Sequence, residues 1–473
     1  INGTIAGGHT GGYCPFSIDI THLLIDGENQ LVVRVYDPTD AAAQPRGKQV
    51  NNPHGFWYTS TSGIWQTVWL EPVNAVHIEK IKITPDIDAG LIRIESIVSG
   101  CDEFTIKASV TADGIELSTA IIAAEDQIAI SNPKLWSPES PFLYDLTLEL
   151  FDQNNKQCDR VKSYFGMRKF SIGKDEKAIP RFLLNNKPYF QAGLLDQGYW
   201  CDGGLTPPTD EAMVFDIQTM KDLGFNMLRK HIKVEPLRWY YHCDRLGMIV
   251  WQDMPNGGAY IGNMMAGILP FLGIHVKDHA YARFKRKNAE MRAYFETELF
   301  EMIDALHSCV SIGCWVPFNE GWGQFDAKQI AEKVKSYDSS RVVDHASGWH
   351  DQKGPDLKSV HKYIVPVKLP KQDGRPFVLS EYGGYSRVIA EHVWNIKKCF
   401  GYRMFKDKES LSAAYKKLME QQIIPLVEKG LCATVYTQVS DVENEVNGIL
   451  TYDREIVKLD EDILRQLNGK LTL

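Results

Sequence analysis

Two glutamates, each closing a short apolar run, are the residues of this 473-residue chain best placed to do chemistry. The first stands in Ser311-Ile-Gly-Cys-Trp-Val-Pro-Phe-Asn319-Glu320-Gly-Trp322-Gly, the second in Pro376-Phe-Val-Leu-Ser380-Glu381-Tyr382-Gly383-Gly384. Both runs are too brief for helices and rich in branched and aromatic side chains, so they predict buried strands. A carboxylate at the end of a buried strand is costly unless it is paired or stands at the mouth of a pocket. Trp315 and Trp322 around Glu320 favour the pocket, because flat aromatic faces pack against sugar rings. The glutamates lie 381 − 320 = 61 residues apart, which leaves room for two intervening strand–helix units. In a parallel β/α barrel all strand C-termini open on one face, and the two carboxylates converge there. A converging pair is the equipment of glycoside hydrolysis, one group as general acid and the other as nucleophile or base. Singly, each glutamate reads as an ion pair or a solvated turn; the matching contexts carry the chemistry.

The elements that must position them alternate from residue 170 onward. A first hairpin and strand run over 182–193, followed by a glycine-rich loop with Asp196, Trp200 and Asp202. A helix over 210–223 shows Met213, Ile217 and Met220 on one face. Further strands are expected at 225–231, 248–253, 341–345, 360–363 and 431–439, with helices at 236–246, up to about 307, from 326 and near 409–428. Residues 256–283 read as an irregular excursion rich in glycine and methionine. Eight strands over about 300 residues fit a TIM barrel better than an open doubly wound sheet. No Gly-x-Gly-x-x-Gly follows a strand, which removes a dinucleotide cofactor. Residues 74–169 carry short alternating strands without helical periodicity, the pattern of an immunoglobulin-like β-sandwich. Trp136 there reads as a core plug. Residues 1–73 read as all-β, with strands over 16–20, 31–35 and 63–70.

Asn319-Glu320 and Ser380-Glu381-Tyr382-Gly383, each ending a strand, resemble glycoside hydrolase family 2, the β-galactosidase, β-glucuronidase and β-mannosidase group. Gly63-Ile-Trp-Gln-Thr-Val-Trp-Leu70, Trp136-Ser-Pro138 and Phe165-Gly-Met-Arg168 fall in that family's order, so the resemblance spans nearly the whole chain. It implies three domains: a partial jelly roll over 1–73, an immunoglobulin-like sandwich over 74–169 and a catalytic barrel over 170–473. It makes Glu320 the acid/base and Glu381 the nucleophile of a retaining exo-β-glycosidase acting by double displacement. Arg229 would hold the nucleophile ionised, Tyr363 would hydrogen-bond it, and Asn319 would grip the sugar 2-hydroxyl. His231, Asp253, Trp322 and Asp196 are the further substrate-binding candidates. Arg229 reads alternatively as a salt-bridged residue and Tyr363 as a rim aromatic.

Three departures bear on the sugar. Strand eight carries Tyr436 where the family has a Trp flooring the site. The Glu-x-His metal pattern of β-galactosidases is absent after strand three, so neither a metal nor any other cofactor is expected. The Asn-x-Lys pair that β-glucuronidases use is not recognisable in the barrel loops, which makes that activity the weakest of the three and β-galactosidase the first. The chain also begins mid-pattern, so it reads as an N-terminally truncated chain with impaired solubility and specificity.

Composition limits the alternatives. With 44% hydrophobic and 24% charged residues the chain is globular. A net charge of −8 without a basic stripe argues against nucleic acid or anionic membrane as partner. No apolar run reaches the ~20 residues of a membrane span. Nine irregularly spaced cysteines form no disulfide framework. The expected partner is a β-glycoside; assembly into a homo-oligomer and the compartment are left open. Two rivals stand beside the retaining hydrolase. One is a carbohydrate-binding protein on a disabled hydrolase scaffold, the other an inverting hydrolase with carboxylates about 6.5–9.5 Å apart rather than about 5–5.5 Å.

Overall fold

The computed structural model describes residues 1–42, 44–262 and 264–473. Eight parallel strands form one curled sheet: β1 (Gln191–Asp196), β2 (Met227–Lys230), β3 (Ile249–Asp253), β4 (Ile312–Val316), β5 (Val342–Val343), β6 (Lys358–Lys362), β7 (Phe377–Gly383) and β8 (Leu431–Thr437). Their hydrogen-bonded order is β5-β4-β3-β2-β1-β8-β7-β6. That is the circumference of a β/α barrel, and all eight expected strands are in it. Among the described residues no ladder joins β5 to β6. Side chains span that gap instead: Ser347 Oγ lies 3.4 Å from Ser359 Oγ and 3.2 Å from His361 Nε2.

Period-two alternation decides which residues face where, except at the register shifts after Ile312 in β4 and after Leu379 in β7, where the facing reverses. Outward residues Leu194, Leu228, Val250, Ile312 and Leu379 are fully buried against the helices. The helices are α1 (Asp210–Asp222), α2 (Leu237–Leu246), α3 (Ala289–Leu306), α4 (Ala327–Tyr337), α5 (Lys408–Leu418) and α6 (Glu461–Asn468). Four of them start on a side chain that accepts a first-turn N–H: Thr209 for α1, Asn288 for α3, Asp407 for α5 and Asp460 for α6. Inward residues Leu195, Met227, Ile249, Cys314, Val378 and Val435 form a second cluster with Phe170 and Phe182. Those two rings come from a three-stranded sheet, Phe170–Lys174, Pro180–Leu184 and Lys187–Pro188. A Cβ on Gly313, early in β4, would lie 3.0 Å from the Phe170 ring, so glycine is needed where this sheet seals the barrel. The excursion expected over 256–283 includes Asn263, which lies outside the described residues; its one helical stretch covers Met264–Ile268 and Leu269–Phe271.

Between residues 77 and 165 the described chain forms two antiparallel sheets of three and four strands. Ile92, Ile94, Ile106, Val110, Leu146, Leu148 and Leu150 alternate inward and meet in a dry core. Burying each is worth roughly 1.5–3 kcal/mol. This sandwich is tied to the barrel through Asp244 of α2. Its carboxylate accepts the Val310 and Ser311 N–H groups at 3.0 and 2.6 Å and the Tyr164 hydroxyl at 2.9 Å. The Trp136 indole donates to the Asp244 carbonyl at 2.7 Å, which makes Trp136 the core plug the sequence suggests.

The strands expected over 16–20, 31–35 and 63–70 are not formed. Within 1–73 the only strand ladder among the described residues joins Gln49–Val50 to Tyr58–Thr59, beside an isolated bridge between His54 and Trp57. Alternation alone does not make a strand, since its N–H and C=O groups need a neighbouring strand. Among the described residues no such neighbour pairs with these three segments, and Val32, Val68 and Leu70 stay exposed.

Candidate active site

Arg229 stands at the centre of the barrel mouth, fully buried at the end of β2. Its Nε and Nη2 donate to Asp253 Oδ1 and Oδ2 at 2.9 and 3.0 Å. Its Nη1 donates to Glu381 Oε1 at 3.0 Å and Nη2 to Asn319 Oδ1 at 2.8 Å. One guanidinium therefore fixes residues from β3, β7 and the loop after β4. A fork of fixed donors suits that task as an ammonium would not. Burial works against its charge, but Asp253 and Glu381 more than offset this and the net shift is upward. His231, two residues on, places Nδ1 2.8 Å from Asp253 Oδ2. Burial, then the charges of Lys48 and Arg229, hold that imidazole well below its usual range.

Glu320 and Glu381 do converge. A carboxylate oxygen of each and a ring nitrogen of His361 all lie within 4.8 Å of one another. His361 Nδ1 is 2.8 Å from Glu320 Oε1 and 3.5 Å from Glu381 Oε2. The Tyr363 hydroxyl donates to Glu381 Oε2 and lies 3.1 Å from Thr437 Oγ1. Burial pushes the Glu320 carboxyl up to about 7, with Lys48 and Arg229 opposing and Glu445 adding. Burial also raises Glu381; His361 opposes, Glu320 adds, and Arg229 and Tyr363 oppose again. Burial holds His361 down to about 4, so its imidazole is neutral. Glu320 has φ 52°, a left-handed conformation unusual for a residue with a side chain. The surroundings impose it: the Glu320 N–H donates to Ser347 O at 2.9 Å, and the Asn319 N–H donates to Asn256 Oδ1 at 3.1 Å. Two buried carboxyls of different surroundings, side by side, can divide the roles of acid and nucleophile.

Several expected site residues sit elsewhere. Tyr436 does not floor the site. It points outward, in edge contact with Tyr415 of α5 and Tyr382, and β8 presents Thr437 at the mouth instead. The expectation slipped by one residue, which in a strand moves a side chain to the opposite face. Asp196 is absorbed by Lys230 at 2.7 Å and the Gly198 N–H at 2.9 Å, away from the glutamates. Trp322 is buried, its ring stacked on Trp57 at 4.4 Å. Trp200 lies beneath Arg454, and Asp202 is exposed.

Sequence reasoning missed His361, Lys48, Asn256 and Tyr402, the last stacked on Tyr363 at 4.1 Å. His361 had a signal: it lies on β6 two residues before Tyr363, which follows the strand's last residue, and both face the same way. The others lie on loops, where no periodicity marks them. Among the described residues the trio Glu320, His361 and Glu381 has the spacing of a metal site.

Two family models match the chain, "Glycosyl hydrolases family 2" over residues 76–168 and "Glycosyl hydrolases family 2, TIM barrel domain" over 180–385. The chain belongs to glycosyl hydrolase family 2. It is 25% identical over 412 residues to a beta-galactosidase of Thermoanaerobacter pseudethanolicus, covering 81% of this chain and 50% of that protein. It is 26% identical over 411 residues to a Formosa agariphila protein provisionally named a beta-glucuronidase, covering 82% of this chain and 47% of that one. The chain thus spans about half the length of these relatives. The beta-galacturonidase of Eisenbergiella tayi, solved with galacturonate bound, shares the fold at TM-score 0.66 and 18% identity, covering 91% of this chain and 78% of that one. Among the described residues no helix is long and apolar enough to cross a membrane.

Proposed function

We propose that this chain is an exo-acting, retaining β-glycosidase in which Glu381 is the nucleophile and Glu320 the acid/base. Glu381, held by Arg229 and Tyr363, attacks the anomeric carbon while Glu320 gives its proton to the leaving oxygen. Glu320 then takes a proton from the water that releases the glycosyl group from Glu381. Asn319, whose amide oxygen already accepts from Arg229, is left with its NH2 for the sugar 2-hydroxyl. The observation that carries the reading is the close approach of the two carboxyls, within 4.8 Å oxygen to oxygen. That favours the retaining spacing of about 5–5.5 Å over the inverting one of about 6.5–9.5 Å. A binding protein would have no use for a nucleophile so held. The test is a 2-deoxy-2-fluoro glycosyl fluoride followed by peptide mapping. The label is expected on Glu381, and label on another residue, or inversion at the anomeric carbon, overturns the mechanism.

For the sugar, a β-galactoside is the first reading from the motifs, and one of the relatives above carries that name. A β-linked uronide is the second, and a specific observation favours it: the positive charge of Lys48 reaches Glu320.

A further inference from the structure

The loop that follows β5 brings Trp349 to the same side of the barrel mouth as Glu320. One carbonyl sets both residues: Ser347 O accepts the Glu320 N–H at 2.9 Å and the Trp349 N–H at 3.1 Å. The Trp349 ring lies 6.2 Å from the His361 ring, tilted by 58°, and His361 Nδ1 is itself 2.8 Å from Glu320 Oε1. Gly348 allows this approach. Its φ is +85°, and a Cβ there would lie 2.4 Å from His361 Cγ. The next residue anchors the loop. His350 is buried, its Nδ1 accepts the Val276 N–H at 3.2 Å, and its ring meets Phe284 edge-on at 5.3 Å.

Trp349 differs from the other tryptophans around the mouth. Trp322 is stacked on Trp57 and Trp200 lies beneath Arg454, both buried. Trp349 is half-buried, and among the described residues His361 is the one aromatic or cationic partner of its ring. Its indole N–H meets no acceptor among the described residues and stays open to solvent, whereas those of Trp200 and Trp322 are sealed. An accessible ring with an unspent donor suits a ligand that is apolar on its face and polar at its rim. A pyranose is built that way, with C–H groups on its faces and hydroxyls around the edge. The direction of the chemistry says which pyranose. The attacked sugar is held over Glu381, and the group that Glu320 protonates departs on the Glu320 side. The ring beside Trp349 is therefore the leaving one.

We infer that Trp349 is the platform of a leaving-group subsite, taking a pyranose that is bonded to the attacked sugar. The indole face covers the C–H groups of that pyranose, and the indole N–H donates to one of its hydroxyls. The preferred substrates are then β-linked disaccharides and longer saccharides, not glycosides of small alcohols. This rests on the glycosidase reading above and extends it from the sugar attacked to the group released.

The experiment compares kcat/KM for a β-linked disaccharide, the 4-nitrophenyl β-glycoside and the β-glycosyl fluoride, in the wild type, Trp349→Ala and Trp349→Phe. Galactosyl and glucuronosyl series are run side by side. The fluoride has no leaving ring to stack, and comparing enzymes cancels the different reactivities of the leaving groups. Trp349→Ala should lower the disaccharide-to-fluoride ratio by roughly 10- to 100-fold, the scale of one lost ring stack, chiefly through KM. Trp349→Phe should keep part of the ratio, since the ring remains and the donor is gone. Calorimetry with the S-linked disaccharide, which is not hydrolysed, reads binding alone, and Trp349→Ala should weaken it by a similar factor. Equal losses on all three substrates would mean that Trp349 only props His361, and would overturn the inference. An unchanged ratio with turnover intact also overturns it and leaves the glycosidase standing. A loss confined to the 4-nitrophenyl glycoside would make this a subsite for aromatic groups and not for sugars. Trp349-dependent binding of the S-linked disaccharide, with no turnover of any glycoside, would keep the subsite and sink the glycosidase.

Discussion

Glu320 is where burial most visibly tunes the chemistry. Its carboxyl, pushed up to about 7, carries its proton below that pH and loses it above. A general acid must be protonated, so kcat/KM for a substrate with a poor leaving group should fall as pH rises through about 7. A dinitrophenyl glycoside, which needs no proton, should lose that alkaline limb; if both substrates show the same limb, Glu320 is not the acid. Glu320→Ala should likewise spare dinitrophenyl glycosides and respond to azide with a β-glycosyl azide. Asn319, Glu320, Glu381, Arg229 and Tyr363, which the sequence singles out and the fold brings together, share one property: each sits at or just past the end of a barrel strand, where a polar group needs a reason. His361 was overlooked because a histidine inside β6 looks ordinary until its facing is counted from Tyr363. Lys48 had no such cue. It lies on a loop, where no period marks it.

Elements were legible where their partners are close in sequence. The barrel strands and helices follow from alternation of period, because each strand pairs with a neighbour one unit away. The three strands expected before residue 73 failed for the opposite reason: pairing is a property of two segments, and the pattern shows one. Asp244 shows what an element end can do at a junction. Buried in the last turns of α2, it fastens the start of β4 and the sandwich tyrosine together. Asp244→Ala would strand two buried N–H groups and a hydroxyl, costing on the order of 3 kcal/mol. Thermal unfolding should shift down accordingly, with Tyr164→Phe giving a smaller loss; an unchanged transition in Asp244→Ala would mean that water replaces the carboxylate.

For the molecule as a whole, the absent Glu-x-His pattern after β3 predicts turnover without a divalent metal. Exhaustive chelation should leave activity intact, and loss restored by magnesium would contradict this. Added zinc should instead inhibit in competition with substrate, because two carboxylates and an imidazole suit that ion and are the groups the reaction needs. The gap between β5 and β6 has a mechanical meaning. A ring laced on every side resists deformation evenly, whereas a split ring yields at its slit. Glu320 hangs from one lip through Ser347 O, and Tyr363, which grips Glu381, belongs to the other. Widening the slit would part Glu320 from Glu381 without breaking one strand ladder. Ser347, Ser359 and His361, bridging it, thus act as the clasp that gauges the catalytic spacing.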